Sequence, residues 1–278
     1  MSEKIIKSLF IICLPVLLLG CSHLLYHPTQ QMYVDPAKLN PPPEQVEIPF
    51  RDGKLIAWYF KPIDQKPKAN ILFFHGNAQN ISSHFYSLFW IAKQGYGFLI
   101  FDYPGYGGSS GKPTPESTTA SGEAALQWLA QNHSGTPIAL FGQSLGGNIA
   151  LYTATKTKAS LCLVAVESTF KSYRKVAQRI LAKSPITWAL QPLGYLLMSD
   201  KYAADDHISD ISPVPLLVIH SRLDSVVSFE NGEDVFNAAK APKEFLQLPE
   251  GEHIQAFTGP GNTTNRENFL EALKSCSR

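Results

Sequence analysis

Hydrophobic and polar residues alternate along this chain with two periods that follow one another. Short apolar runs typical of buried strands are separated by stretches with the three-to-four-residue spacing of amphipathic helices. The predicted strands are residues 45–50, 55–60, 70–74, 96–101, 137–141, 161–166, 214–219 and 244–248. The predicted helices are residues 81–92, 122–131, the stretch after residue 144, 232–239 and 266–274. The alternation predicts an α/β domain with a mainly parallel eight-stranded sheet and helices on both faces, and an Asp-Gly turn at 51–54 predicts an antiparallel hairpin leading into it.

The first twenty residues follow a different pattern, that of a secretory signal. Lys4 and Lys7 precede an apolar run over residues 8–19, which is too short to span a bilayer comfortably. The run ends in Leu-Leu-Gly-Cys, which resembles the bacterial lipobox and implies that Cys21 is lipidated and begins the mature protein. By the same resemblance, Ser22 favours the outer membrane. We therefore predict a lipid-anchored protein of the bacterial cell envelope.

Residues 21–43 have a third composition. They are rich in proline and show little apolar periodicity. A Pro-rich segment tends to stay extended, so this segment is predicted to be a tether between the membrane and the domain. Residues 44–278 then suffice for one α/β domain with a large core.

Charge excludes one class of partner. The chain has 24 basic and 23 acidic side chains, and removing residues 1–20 takes away two lysines and one glutamate, which leaves 22 of each. A nearly neutral chain offers no electrostatic basis for binding nucleic acid. Attachment to a membrane is therefore expected to come from acyl chains.

The cysteines do not define a disulfide framework. Cys13 falls in the signal and Cys21 at the lipid site, which leaves Cys162 and Cys276 in the domain. These two could pair, but two separate thiols are the favoured reading of so few cysteines.

A Gly-Gln-Ser-Leu-Gly motif at residues 142–146 carries the clearest chemical signal. It joins a predicted strand to a predicted helix, the context in which a serine is held on a strained turn with its hydroxyl exposed. Gly142 and Gly146 supply the small residues that such a turn needs. A plain glycine-rich turn is the alternative, but the flanking strand and helix favour Ser144 as a nucleophile.

A serine nucleophile needs a base, and the base needs an orienting acid. Asp224 follows the predicted strand at 214–219, and His253 follows the last predicted strand. In a parallel α/β sheet, loops after strand ends meet at one edge. The predicted triad is therefore Ser144, Asp224 and His253, in that chain order.

Two further motifs strengthen this assignment: His-Gly-Asn-Ala at residues 75–78 and Asp-Tyr-Pro-Gly-Tyr-Gly-Gly-Ser at 102–109. With them, residues 44–273 resemble the α/β-hydrolase-fold serine hydrolases, in particular a small group with a His-Gly-Asn loop, similar to serine aminopeptidases. The resemblance implies the α/β-hydrolase fold with a short helical cap. It also implies an oxyanion hole formed by the backbone N–H groups of Asn77 and Leu145.

Other polar residues that could take part in catalysis or metal binding have simpler structural interpretations. Glu167 also follows a strand and is an alternative triad acid, although it fits a helix entry as well. His75 is predicted to shape its loop and His220 to pack in the core. Three more histidines lack metal-ligand spacing: His84, His133 and His207. We therefore expect no metal site and no cofactor.

Residues 170–206 separate two strands by more than the usual connection. They are rich in apolar residues, read as helical and are broken at Pro185 and Pro192. They are predicted to form a small apolar cap over Ser144, with some of their side chains completing the core.

The sequence thus predicts hydrolysis of a carboxylic ester or thioester through an acyl-enzyme on Ser144. Three alternatives stay open: an acyltransferase, a peptidase using the same triad, and a non-catalytic envelope lipoprotein that binds a ligand in the cleft. The expected partners are a small acyl substrate and, through the lipid anchor, a membrane. The oligomeric state is not predicted.

Overall fold

The computed structural model describes residues 25–63 and 66–277, and an eight-stranded sheet is the main feature of this part of the chain. A short two-stranded sheet accompanies it. The strands in the described part are β1 His27–Pro28, β2 Glu44–Phe50, β3 Gly53–Phe60, β4 Asn70–Phe74, β5 Ala78–Gln79, β6 Gly97–Phe101, β7 Ile138–Gln143, β8 Leu161–Glu167, β9 Leu216–Ser221 and β10 Lys243–Leu248.

The strand order of the large sheet is β10-β9-β8-β7-β4-β6-β3-β2. All neighbours are parallel except β2 with β3 and β3 with β6. Phe50 lies opposite Gly53, so Arg51 and Asp52 form the turn of the predicted hairpin. The fold class, a mainly parallel sheet entered by an antiparallel hairpin, is confirmed.

Helices cover the sheet on both faces. They are α1 Ile81–His84, α2 Pro115–Asn132, α3 Leu145–Lys156, α4 Tyr173–Ala182, α5 Gln191–Leu197, α6 Phe229–Ala238 and α7 Asn262–Leu273. Neighbouring residues of a strand point to opposite faces, so Leu140 joins the core beside Leu126 and Ile149, and Phe141 joins the core beside Phe269. No helix in the described part is long and apolar enough to cross a membrane.

The predicted helix at 81–92 is the least accurate element. Only Ile81–His84 is α-helical, and two 3₁₀ turns, Phe85–Ser87 and Phe89–Gln94, follow it. The Phe85 ring stacks on Phe60 of β3 at 5.7 Å between centroids, and Phe89 meets the same ring edge-on. We attribute the break to this aromatic packing, which outweighs helix propensity.

The predicted tether differs from the structure where the structure describes it. Tyr26 is buried with its hydroxyl 3.1 Å from Thr118 Oγ1, and β1 pairs in parallel with β5. Residues 25–43 therefore lie on the domain and are not a free spacer, because a buried aromatic ring and strand pairing hold them there. The predicted signal segment and Cys21 lie outside the described residues.

A disulfide joins Cys162 of β8 to Cys276, with their Cα atoms 4.8 Å apart. The expectation of two separate thiols is therefore wrong. The C-terminal 3₁₀ turn Lys274–Ser277 packs beside β8, where the Ser275 hydroxyl donates to the Cys162 carbonyl at 2.8 Å. A separation of 114 residues gives no sign of this pairing in the sequence.

Candidate active site

Ser144 lies between the last residue of β7 and the first residue of α3. Its φ of 54° falls in the left-handed region, which is strained for a residue with a side chain. Its backbone is held on both sides: the N–H donates to the Glu167 carbonyl at 2.9 Å, and the carbonyl accepts from Thr169 Oγ1 at 2.7 Å. The predicted strained turn is therefore present and is supported from β8.

Glycines allow this turn to pack closely against its neighbours. A Cβ atom on Gly142 would lie 2.5 Å from the Gly146 carbonyl oxygen, and one on Gly146 would lie 2.2 Å from the Phe74 carbonyl oxygen. Neither position has room for a side chain. The turn thus touches the end of β4, and a Cβ on Gly76 would be only 3.9 Å from Ser144 Cβ. The loop at 75–77 consequently lies beside the serine.

The structure brings together the three residues predicted as a triad. His253 Nε2 lies 3.0 Å from Ser144 Oγ, and His253 Nδ1 lies 2.8 Å from Asp224 Oδ2. Because a carboxylate only accepts hydrogen bonds, Nδ1 carries the proton of the neutral ring and Nε2 is free to accept from the serine hydroxyl. This arrangement can withdraw a proton from Ser144.

Asp224 is buried and its carboxylate is fully engaged. Its second oxygen accepts hydrogen bonds from the N–H groups of Val226 and Val227, each at 2.9 Å. Burial by itself raises the pKa of Asp224, but hydrogen bonds from His220 and His253 outweigh it and hold that pKa well below its ordinary value. The carboxylate is therefore charged and able to stabilise a protonated His253.

His220 does more than pack in the core. It is fully buried, and its Nε2 lies 2.9 Å from the Val227 carbonyl oxygen and 3.4 Å from Asp224 Oδ2. Both neighbours are acceptors, so Nε2 carries a proton and is directed at the Asp224 carboxylate. The only sign of this His220–Asp224 contact in the sequence was the position of His220 near the end of β9, four residues before Asp224.

Glu167, the alternative acid, has other partners. Its Oε2 accepts from Gln143 Nε2 at 2.6 Å and its Oε1 accepts from the Ala256 N–H at 2.7 Å. Burial raises the pKa of this carboxyl group. Glu167 thus ties the loop after His253 to β7 and β8, while Asp224 holds the imidazole.

The two predicted oxyanion donors lie at the start of α3 and in the loop after β4. Within residues 25–63 and 66–277, neither the Leu145 nor the Asn77 N–H donates to a protein acceptor. The loop is fixed through the Asn77 carbonyl, which accepts from the His27 N–H at 2.8 Å and the Tyr106 hydroxyl at 2.6 Å. Both amides are therefore available near Ser144 for a ligand oxygen.

The buried carboxyl group of Asp102 lies beside this loop. Asp102 accepts from the Ile81 N–H at 2.9 Å and lies 3.8 Å from His75 Nε2. Burial raises the pKa of Asp102 to about 7 and lowers that of His75. The His75 carbonyl accepts from the Tyr103 hydroxyl at 2.8 Å. The His75 ring is itself held within the loop, with Nδ1 2.8 Å from the Gly76 carbonyl oxygen. His75 thus shapes the loop, as predicted.

The raised pKa of Asp102 should make the free energy of unfolding depend on pH. Between about pH 4, the ordinary pKa of an aspartate, and about pH 7, the folded state binds the proton more tightly than the unfolded state. The free energy of unfolding should therefore fall as pH rises through this window, by up to about 4 kcal/mol. Asp102→Asn should remove that part of the slope in urea denaturation curves measured across the window. Identical slopes in both proteins would contradict the assignment.

The cap segment lies against the loop that carries Asp224. Its helices α4 and α5 pack closely, since a Cβ on Gly194 would lie 2.7 Å from Leu181. Lys183 Nζ donates to the carbonyls of Ser225 and Val226. Several of its side chains are buried in the core, among them Tyr173, Val176 and Met198. The expectation that the segment partly completes the core is confirmed.

The three histidines without a predicted role lie apart from one another. His84 Nε2 is 3.0 Å from the Ala78 carbonyl oxygen, His133 packs on Tyr59, and His207 faces Asp210. Across the part of the chain that the structure describes, no three His, Cys, Asp or Glu side chains are grouped to hold a metal ion.

Comparison with known proteins identifies relatives of this chain. Residues 69–194 match the family model described as alpha/beta hydrolase fold. The chain is 30% identical to uncharacterized protein YfhR of Escherichia coli K12 over 98% of this chain and 94% of that protein. It is 28% identical to the zebrafish (Danio rerio) lysophosphatidylserine lipase ABHD12 over 77% of this chain and 57% of that protein. The structure of Pyrococcus furiosus esterase Pf2001 is similar with a TM-score of 0.71 and 20% identity, covering 90% of this chain and 97% of the esterase; that likeness shows the fold.

Proposed function

The chain belongs to the alpha/beta hydrolase fold family, and from this we propose that it is a serine hydrolase that cleaves a carboxylic ester or thioester. Hydrogen bonds from Ser144 Oγ to His253 Nε2 at 3.0 Å and from His253 Nδ1 to Asp224 Oδ2 at 2.8 Å carry the proposal. A nucleophile, a base and an orienting acid in this sequence of contacts form the arrangement that acyl transfer requires.

Acylation of the enzyme begins when Ser144 Oγ attacks the substrate carbonyl carbon and His253 Nε2 takes the hydroxyl proton. The charged Asp224 stabilises the imidazolium that results. The C–O or C–S bond to the leaving group then breaks, and His253 returns the proton to that group. The acyl group stays on Ser144 as an ester.

Deacylation repeats these steps with water as the nucleophile. His253 takes a proton from water, the hydroxide attacks the acyl carbonyl, and the proton passes back to Ser144 Oγ as the acid leaves. In both halves the negative carbonyl oxygen accepts from the N–H groups of Leu145 and Asn77. Loss of one such donor typically costs about 3–4 kcal/mol of transition-state stabilisation.

The partners of the cap arginines favour an apolar acyl substrate over a charged one. Arg174 Nε donates to the Met198 carbonyl, and Arg179 is held by Asn231 and Asp234. Both cap arginines are thus engaged by protein groups. Similarity to a lipase that acts on a lysophospholipid also supports an acyl ester. We propose a short- to medium-chain acyl ester or thioester.

A series of p-nitrophenyl esters tests this substrate class. Each added methylene that is buried contributes about 0.8 kcal/mol. The kcat/KM is therefore expected to rise about fourfold per carbon from the acetyl ester until the pocket is filled. A steady fall from acetyl to octanoyl would indicate a small polar pocket instead, and a preference for aminoacyl substrates would indicate a peptidase.

We further propose that Cys21 is lipidated and anchors the protein in the bacterial envelope. The Leu-Leu-Gly-Cys ending of the apolar run supports this. The disulfide between Cys162 and Cys276 also supports it, because such bonds persist mainly in oxidising compartments outside the cytosol.

Mass spectrometry of the N-terminal peptide is the test of the anchor. In protein purified from membranes of a bacterium that processes lipoproteins, the first residue should be Cys21 with acyl chains attached. Cys21→Ser should prevent both the attachment of acyl chains and the cleavage before residue 21. An unmodified Cys21, or a chain that still begins at Met1, would refute the anchor without bearing on the hydrolase.

A further inference from the structure

The chain enters the domain beside the proposed active site. The His27 N–H donates to the Asn77 carbonyl at 2.8 Å, and the Gly107 N–H donates to the Thr29 carbonyl at 3.0 Å. Asn77 lies in the loop after β4, and Gly107 in the loop after β6. Both loops follow parallel strands and lie at the edge of the sheet where Ser144 lies, which we call the carboxyl edge.

Little chain is available to separate this edge from a membrane. Cys21 precedes His27 by six residues, and an extended chain spans at most about 3.6 Å per residue, so the anchor lies within about 20 Å of His27. His27 is itself hydrogen-bonded to Asn77. A membrane holding residue 21 is therefore close to the carboxyl edge.

The cap exposes a group of large apolar side chains, which we call the cap surface. Its members lie between the last turn of α4 and the end of α5: Ile180, Ile186, Trp188, Leu190, Leu193, Tyr195 and Leu196. The most exposed are Ile186 at 89%, Leu196 at 76% and Trp188 at 64%. Clusters of exposed apolar residues of this kind mark interaction sites.

The cap surface borders the carboxyl edge. Lys183, which lies between Ile180 and Ile186, donates to the Ser225 and Val226 carbonyls in the loop after β9. Two further large apolar side chains are exposed in that loop, Leu223 and Val226. The Lys183 contacts thus place the cap surface next to the loop that carries Asp224. That loop lies at the same carboxyl edge as the two loops that the N-terminal segment contacts.

Charge does not oppose an anionic lipid surface here. No aspartate or glutamate occurs between Ser168 and Ser199, and this stretch has three lysines and two arginines. Each of these five cations has a protein partner, such as Asp205 for Lys171 and Asp234 for Lys175. The absence of acidic side chains from the stretch still leaves nothing on it to repel anionic head groups.

We propose that the cap surface docks on the lipid bilayer and thereby sets the carboxyl edge, with Ser144, against the membrane. Apolar side chains accompanied by tryptophan, tyrosine and basic residues suit the boundary between head groups and acyl chains. Short- to medium-chain acyl substrates that partition into that leaflet would reach the site without crossing bulk water. The proposal rests on the proposed anchor for the short N-terminal link, and on the exposed cap for the docking surface itself.

Fluorescence quenching by brominated lipid tests the docking. The full chain, purified from membranes, is reconstituted into vesicles of phosphatidylethanolamine and phosphatidylglycerol, with and without bromine on the acyl chains near the head groups. Trp188 should be quenched, and the difference between wild type and Trp188→Phe isolates its signal. The double variant Ile186→Ser/Leu196→Ser should lose most of this quenching.

Ile63→Ser is the matched control. Ile63 is also exposed, but it follows β3, which runs antiparallel to its neighbours, and so lies at the opposite edge of the sheet. This variant should keep the wild-type quenching of Trp188. Unquenched Trp188 in the reconstituted wild type would overturn the proposal, as would equal quenching in the double variant. Self-association that shields Trp188 from lipid would overturn it too, and would assign the cap surface to a second copy of the chain.

This readout does not depend on catalysis. An inactive protein with a quenched Trp188 would keep the docking and refute the hydrolase. An active enzyme with an unquenched Trp188 would support the hydrolase and refute the docking. Failure of the anchor alone is recognised from the mass of the N-terminal peptide.

Discussion

Ser144→Ala is expected to lower kcat for ester hydrolysis by about 10⁶-fold, the scale seen when the nucleophile of a serine hydrolase is removed. The hydroxyl donates to His253, while the backbone of residue 144 is held separately by Glu167 and Thr169. The variant should therefore fold normally. Steady-state kinetics on a p-nitrophenyl ester, with circular dichroism as the check on folding, measures the loss.

Ser209→Ala is a suitable control for this substitution. Ser209 lies in the 3₁₀ turn Asp205–Ile211 and its hydroxyl faces Asp210, away from the triad. It should retain the wild-type rate. A Ser144→Ala protein that kept more than a few per cent of the wild-type rate would contradict the mechanism.

Asp224→Asn is expected to lower kcat by about 10⁴-fold with little change in the fold. The amide is almost the same size as the carboxylate, but it lacks the charge that stabilises protonated His253. An amide NH₂ directed at Nδ1 would also favour the ring tautomer that cannot accept from Ser144. His220 would lose its charged neighbour at 3.4 Å as well.

Glu167→Gln separates the two candidate acids. The glutamine retains one acceptor for the Ala256 N–H, so the loop after His253 should stay near its position and the loss in kcat should be much smaller. A severe Glu167→Gln variant beside a nearly normal Asp224→Asn variant would reverse the assignment. Both are compared on the same ester, across a pH series.

The sequence was sufficient to predict that Ser144, Asp224 and His253 lie together, because the fold simplifies the problem. In a parallel sheet, the loops after consecutive strands converge at one edge, so finding the strand ends before Ser144, Asp224 and His253 places these residues together. Their hydrogen bonds are as expected from that topology. The position of the loop containing Asn77 required one further piece of knowledge, the family resemblance.

Features that depend on contacts across the fold were not visible in the sequence. Burial of Tyr26 converts a segment that resembles a spacer into one packed on the domain. The direction of the His220 ring, and the contact of Glu167 with Ala256, are set by packing between loops from different strands. No local sequence pattern predicts these contacts, because each partner is an ordinary polar residue within its own segment.

The pairing of cysteines illustrates the same limit. Cys162 lies in a strand and Cys276 near the chain end, and neither has a neighbouring cysteine to suggest a motif. The return of the C-terminal turn to β8 brings them together. Only the path of α7 across the sheet determines this approach.

Reaction with a fluorophosphonate, followed by peptide mass spectrometry, tests the central claim most directly. The probe phosphonylates serines that are activated by a base, so the folded protein should carry one adduct, on the peptide containing Ser144. His253→Ala should suppress the adduct and Ser144→Ala should abolish it. A folded protein without an adduct, or with its adduct on another serine, would contradict the account.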